Sequence, residues 1–296
     1  MNTTILLVGH GSRNAAGNEE ILEFARRWAA AHPQWRIETC FIEFAEVLLD
    51  EGLDRAARAS RRVIVVPLIL NAAGHVKMEI PHHIEQARGR HPEVEFVYAR
   101  HLGANEKILA ILKRRLRSAM GALDHPDPRT TGVILLGRGA SDRAANGEVA
   151  KMARWLFEEG DHDLVDVAFT GITHPRLEAV VQRQARLGMT QIAVLPYYLF
   201  TGTLIERIRR QVARLERQYP HIAFACADYF GFEEEIFALL DARVREAAGG
   251  PPAQQPVRME CDGCRYRSLA EEQGHGHHHH HDHGHAQDIE TEVLPT

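Results

Sequence analysis

Cysteine is scarce in this chain: four residues in 296, too few for a disulfide scaffold at this length. They read instead as reduced thiols in a cytoplasmic protein. Long apolar runs are missing as well. The longest, residues 63–70, contains Pro67 and falls far short of a bilayer span. There is no cationic excess either: Lys and Arg number 35 against 40 Asp and Glu, a net charge of -5, which argues against a general nucleic-acid binder. The start, Met1-Asn2-Thr3-Thr4, has no basic segment ahead of its short apolar run, so it does not read as a signal peptide. What remains, 45% hydrophobic and 25% charged residues, is the balance of a soluble globular protein. One residue type is abundant. Histidine occurs 19 times, and eight of these fall between His275 and His285, which points to business with metal.

The apolar runs alternate with amphipathic segments. Strands are expected at residues 5–8, 36–43, 62–70 and 94–99, with helices at 19–31, 47–59, 78–89 and 105–120. Fully apolar strands alternating with helices imply a parallel sheet covered on both faces. The order then returns. "GVILLGRGAS" at 132 echoes "TILLVGHGSR" at 4, "IAVLPYYLFTGT" at 192 echoes "VIVVPLILNAAGH" at 63, and the segment from Tyr219 echoes that from His91. The expected architecture is therefore α/β with two tandem, duplicated domains, residues 1–123 and 132–246, each about 115 residues long. The polar, proline-rich "DHPDPRTT" at 124–131 joins them. From residue 247 onward the apolar periodicity stops, and "AAGGPPAQQP" opens what reads as a disordered tail.

Open α/β sheets bind ligands beyond the carboxyl ends of their strands. Three polar residues fall at such ends in the first half. His10 follows the first strand, Glu43 ends the second, and His75 follows the third. Two imidazoles and a carboxylate suit a divalent transition ion, with positions left open for substrate. The glycines beside His10 and before His75 permit tight turns and close approach of a bulky ligand. The repeat serves as a control: Arg138, Gly171 and Thr203 stand at the three matching places, while the apolar strands persist. The candidate ligands are lost as a set.

"LLVGHGSRN", "FIE" and "AAGHVKMEIP" resemble the class II tetrapyrrole chelatases, and among them the CbiX/SirB sirohydrochlorin chelatases in their long form of two fused domains and a metal-rich tail. The resemblance covers residues 1 to about 246, and the tail adds an M-x-C-x-x-C motif and a histidine run. It implies insertion of Co2+, the substrate ion, into sirohydrochlorin on a route to cobalamin, with His10 and His75 as metal-binding histidines and Glu43 as the acid facing them. Fe2+ for sirohaem and Ni2+ stay open, because nitrogen–oxygen ligand sets discriminate poorly among these ions. Which of the three residues accepts the pyrrole protons also stays open.

Ser12 and Arg13, and Arg138 from the opposite wall, are candidates to meet the substrate's carboxylates. Cys261 and Cys264 are implied to carry an Fe–S cluster. Two thiolates do not complete one, so either two chains share it or other ligands contribute, and zinc is the rival. Cys40 and Cys226 fall in strands expected to be buried. The tail histidines His275, His277, His278, His279, His280, His281, His283 and His285 read as a metal-gathering segment. The expected molecule is a monomer with pseudo-twofold halves, or a dimer if a cluster is shared.

Two rival readings fit these residues less well. A histidine phosphatase would have Arg where Gly9 precedes His10, and a metal store would not need a polar triad on one half of a duplicated body. If the tail only gathers ions, deleting residues 275–285 should leave most insertion activity at saturating metal, measured as initial rate against metal concentration. Loss of turnover at every concentration would place the tail in the reaction itself.

Overall fold

The chain is described by a computed structural model over residues 3–249. The tail residues Cys261 and Cys264 and the histidines between 275 and 285 lie outside the described residues. The elements of the first half are β1 (Thr3–Gly9), α1 (Ala15–Ala31), β2 (Arg36–Phe41), α2 (Leu49–Ala59), β3 (Arg62–Pro67), a π-helical turn (His75–Glu79), α3 (Ile80–Arg90), β4 (Glu95–Tyr98) and α4 (Glu106–Gly121). The second half repeats them as β5 (Thr131–Gly137), α5 (Arg143–Glu158), β6 (Val165–Phe169), α6 (Leu177–Arg186), β7 (Gln191–Pro196), α7 (Thr203–Gln218), β8 (Ala223–Cys226) and α8 (Glu234–Ala248). Among these helices none is long and apolar enough to cross a membrane.

Each half forms a four-stranded parallel sheet, in the orders β2-β1-β3-β4 and β6-β5-β7-β8. Strand residues point alternately to opposite faces. On β1, Ile5 and Leu7 join one apolar cluster and Leu6 and Val8 join another. Both faces are thus buried, which is why the strand carries no polar alternation. The outer clusters lie under α2 and α3 in the first half and under α6 and α7 in the second.

The inner cluster belongs to both halves at once. It draws on α1 and α4 and on α5 and α8, which form a helical layer between the two sheets. The last helix of each half packs on the other half's sheet: α4 lies against β7 and β8, and α8 against β3. Hydrogen bonds hold this exchange. Arg115 donates to the carbonyl of Phe230 at 2.9 Å, and Arg243 donates to the carbonyls of His101 and Leu102 at 2.9 Å each. The indole N–H of the buried Trp28 on α1 donates to Asp241 on α8 at 2.9 Å. Phe24 beside it stacks on Phe237 at 4.0 Å. Burying a phenyl group of this kind contributes about 3 kcal/mol.

Several boundaries differ from those expected. Helix α1 begins at Ala15 rather than residue 19, because Asn14 caps it and Gly17 fits in its first turn against the backbone of Thr201. Strand β2 stops at Phe41, so Glu43 lies in the loop beyond it, where Phe44 and Val47 take left-handed backbone conformations. Strand β3 stops at Pro67 and α2 starts at Leu49. His75, expected in a loop, is the first residue of the π-helical turn that runs into α3. Cys40 is buried as expected, and Gly52 is glycine because a side chain there would strike it. Cys226, expected to be buried, is exposed, since β8 is an edge strand.

Exchange of α4 and α8 makes each sheet depend on the other half's helix. Residues 3–123 and 131–249 expressed separately are therefore expected to lack a cooperative thermal transition, and to regain one when co-expressed as two pieces. A cooperative transition in either piece alone would contradict the interlocked core.

Candidate functional site

The order β2-β1-β3 brings the carboxyl ends of three strands side by side, and one polar residue follows each. The ring centroids of His10 and His75 lie 4.7 Å apart, edge to face at 83°. His10 Nδ1 is 3.5 Å from Glu43 Oε1. One donor atom from each of His10, Glu43 and His75 falls within 4.8 Å of the others, and among the described residues this is the grouping able to hold a metal ion. Ligand atoms a few ångströms apart on half-buried side chains are what a first-row divalent ion requires.

Glycine makes the juxtaposition possible. Gly11 has φ +88°, and a Cβ there would lie 1.7 Å from the carbonyl oxygen of Glu43. The backbone N–H of Glu43 donates to the carbonyl of His10 at 3.1 Å. The glycine after His10 therefore admits the backbone of Glu43 rather than a ligand. The second half keeps this device: Gly139 has φ +85° against the carbonyl of Gly171, whose N–H donates to Arg138 at 3.0 Å. Gly74 does something different. A side chain on it would meet nothing, so it leaves open the space in front of His75.

His75 is held by its own turn. Its Nδ1 pairs with Glu79 Oε2 at 2.5 Å, four residues on. A carboxylate accepts only, so Nδ1 carries the proton and Nε2 keeps the lone pair for an ion. Glu79 was missed from the sequence because residues 71–77 read as a loop. The His-x-x-x-Glu spacing in "HVKME" was the signal that a helical reading would have exposed. The same turn is tied to the other half through Lys77, which pairs with Asp142, the cap of α5. Burial opposes ionisation of Asp142, but Lys77 and the Ala144 N–H hold its carboxyl below the usual range.

Between the halves lies a cavity of about 490 Å³. His10, His75 and Glu79 line it from the first half, and Arg138, Ile172 and Tyr198 from the second. Glu43 is not among its lining residues. Much of the wall is apolar, including Leu68, Ile69, Leu70, Val149 and Leu199. Two polar atoms on lining residues, Asn71 Oδ1 and Tyr197 Oη, are buried without a hydrogen-bond partner among the described residues. Ile172 is exposed in a left-handed conformation, an uncommon state for a β-branched residue, as is Phe44 at the matching place in the first half. The His10 pKa is lowered to about 4, chiefly by burial, with the neighbouring His75 and the Arg138 guanidinium adding to it. His10 is thus a neutral imidazole at neutral pH.

The second half supplies a wall and no donor set. Arg138 occupies the place of His10 and reaches back to it, Nη1 to Nε2, at 3.0 Å. Gly171 occupies the place of Glu43. Thr203 is the first residue of α7 after Gly202, as His75 follows Gly74. Ser12 and Arg13 are not among the cavity-lining residues. The Ser12 hydroxyl accepts the Asn14 N–H, and the Arg13 guanidinium lies 4.8 Å over the Phe44 ring.

Comparison with known proteins agrees with the duplication. The family model CbiX matches the chain twice, at residues 4–119 and 132–247. A sirohydrochlorin cobaltochelatase of Priestia megaterium is 39% identical over 267 residues, 89% of this chain and 84% of that protein. A sirohydrochlorin ferrochelatase of the same organism is 30% identical over 81% of this chain and 89% of that protein. The crystal structure of the sirohydrochlorin chelatase SirB from Bacillus subtilis subspecies spizizenii in complex with cobalt superimposes with a TM-score of 0.71 at 28% identity, covering 86% of this chain and 98% of that one. With both repeats matched and relatives aligned along most of its length, the chain belongs to the CbiX family.

Proposed function

We propose that the chain is a sirohydrochlorin cobaltochelatase, which inserts Co2+ into sirohydrochlorin and releases the two pyrrole protons, with His10, Glu43 and His75 holding the incoming ion. The observation that carries the reading is the convergence of these three donors, two of which, His10 and His75, line a cavity between the halves. The relative named a cobaltochelatase, at 39% identity, supports cobalt. The relative named a ferrochelatase supports Fe2+ as the second reading, and the ligand set itself favours neither ion strongly.

The chemistry asks for a site that binds the ion and then gives it up. Neutral imidazole holds a borderline ion firmly but reversibly, and burial keeps His10 neutral. Glu79 orients His75 so that Nε2 faces an ion, while Glu43 brings the negative charge that balances one and can accept a proton. The apolar walls suit the faces of a macrocycle. Arg138 suits a substrate carboxylate. Ser12 and Arg13 retain at most a role at the rim in this proposal. Both walls come from one chain, which makes a monomer sufficient, and we place the enzyme in the cytoplasm.

For the tail we propose metal gathering by the histidines between 275 and 285. Zinc or an Fe–S cluster would sit at Cys261 and Cys264. The remaining ligands would come from tail histidines or from a second chain sharing the cluster.

His10→Ala and His75→Ala are each expected to lower the insertion rate at least about a hundredfold, and Glu79→Gln about tenfold, since loss of an orienting partner weakens metal sites by about 10- to 100-fold. Absorbance of the macrocycle reports the rate, and far-UV circular dichroism checks the fold. Wild-type rates in either histidine variant would overturn the assignment. Initial rates with Co2+, Fe2+ and Ni2+ under anaerobic conditions test the metal: Co2+ is expected to lead, and preference for Fe2+ would favour the second reading.

The lowered His10 pKa also fixes a sign for stability. The unfolded chain takes up this proton near pH 6.5, whereas the folded chain waits until about 4. Between these values the unfolded state binds more protons, so this group makes stability fall as pH drops. Replacing His10 with Ala should therefore shrink the loss of Tm between pH 7 and pH 5. An unchanged loss would mean that the imidazole is not buried as described.

A further inference from the structure

The hydrogen bond between Arg138 and His10 carries a consequence for the order of events at the site proposed above. His10 Nδ1 faces the carbonyl of Gly11 at 3.0 Å, and Nε2 faces Arg138 Nη1 at 3.0 Å. A carbonyl only accepts and a guanidinium only donates, so the two partners agree on one tautomer. Nδ1 carries the proton, and the single lone pair on Nε2 accepts from Arg138.

A neutral imidazole has one lone pair to give. If an ion binds Nε2, it takes the lone pair that Arg138 occupies. If it binds Nδ1, the proton must move to Nε2, and two N–H donors then face each other. In either tautomer the ion and the Arg138 hydrogen bond exclude one another. Coulomb repulsion adds to this, because a guanidinium beside the ligand atom faces a dication. Arg138 must therefore move away whenever His10 ligates. It lines the same cavity and its side chain is exposed. A carboxylate there is a better acceptor for a guanidinium than a neutral imidazole, through a charge-assisted and often bidentate pair.

We propose that Arg138 is a displaceable plug on His10: it caps the metal-ligating nitrogen in the empty enzyme and is drawn off by a carboxylate of the tetrapyrrole, so that substrate binding opens the metal site. This rests on the reading of His10 as a ligand. Because equilibrium coupling is reciprocal, an ion on His10 would likewise free Arg138 for the carboxylate. When the ion passes into the macrocycle, the lone pair is vacated and Arg138 can return to it as product leaves. Arg138 is on this account a positioning residue, acting through His10 on the ion and directly on the substrate.

The test is a titration of the full chain with Co2+ alone, followed by the visible ligand-field absorption, for wild type, Arg138→Ala and Arg138→Met. His10→Ala in the same chain supplies the contribution of the tail histidines for subtraction. Removing the plug is expected to tighten His10-dependent Co2+ binding about two- to tenfold, the range of one hydrogen bond's net contribution. In turnover, the KM for Co2+ should fall in both variants while the KM for sirohydrochlorin rises. A general loss of structure would not tighten metal binding, and two variants of different bulk guard against a folding defect in one. His10-dependent binding that is unchanged or weaker in both variants would overturn the plug and leave the ligand assignment standing. If wild type and His10→Ala titrate alike, the ion does not use His10, and both ideas fall.

Discussion

The contact between Gly11 and the carbonyl of Glu43 is the constraint on which the site depends. Strand order sets β1 beside β2 and β3, but the ends of parallel strands need not bring side chains together. Here the loop after β2 folds onto the loop after β1 so closely that no Cβ fits between them, and a backbone hydrogen bond from Glu43 to His10 fixes the register. The acid and the first imidazole are thereby one loop contact apart. His75 arrives from the third strand on a turn that brings its own orienting carboxylate, Glu79. Three donors are preorganised by backbone geometry and one side-chain hydrogen bond, at little cost in side-chain entropy.

The duplicated half shows that the scaffold and the chemistry separate. Gly139 and Gly171 repeat the close loop contact, yet the side chains there are an arginine and none. What survives is a wall. The exchange of α4 and α8 makes that wall part of the same core, and the half-buried Lys77, paired with the buried Asp142, ties the His75 turn directly to it. Cavity width is thus coupled to the position of a candidate ligand. A duplicated sheet without the donors fits the proposed reaction, since a flat macrocycle has two faces and only one need meet the ion.

How much of this the sequence displays depends on the range of the interaction. Both sheets are legible because strands buried on two faces are continuously apolar, and the repeat is legible because the same runs recur. The three candidate ligands follow from strand ends alone. Helix starts are less legible: Gly17 looks like a breaker until the backbone of Thr201 is seen against it, and "LNAAGHVKMEIP" hides a π-helical turn whose spacing is neither strand nor ordinary helix. The exchange of α4 and α8 leaves no local mark, since an apolar helix face fits either sheet. Arg138 was legible as a wall residue. Its bond to His10 was not, because a contact 128 residues apart is set by how the two halves dock.

The central claim is that His10, Glu43 and His75 together receive the ion. Anomalous diffraction at the cobalt edge, from crystals soaked in Co2+, tests it most directly. A peak bonded to both imidazoles and to the carboxylate of Glu43 is the predicted result. Cobalt elsewhere, with the space between these side chains empty at saturating metal, would contradict it.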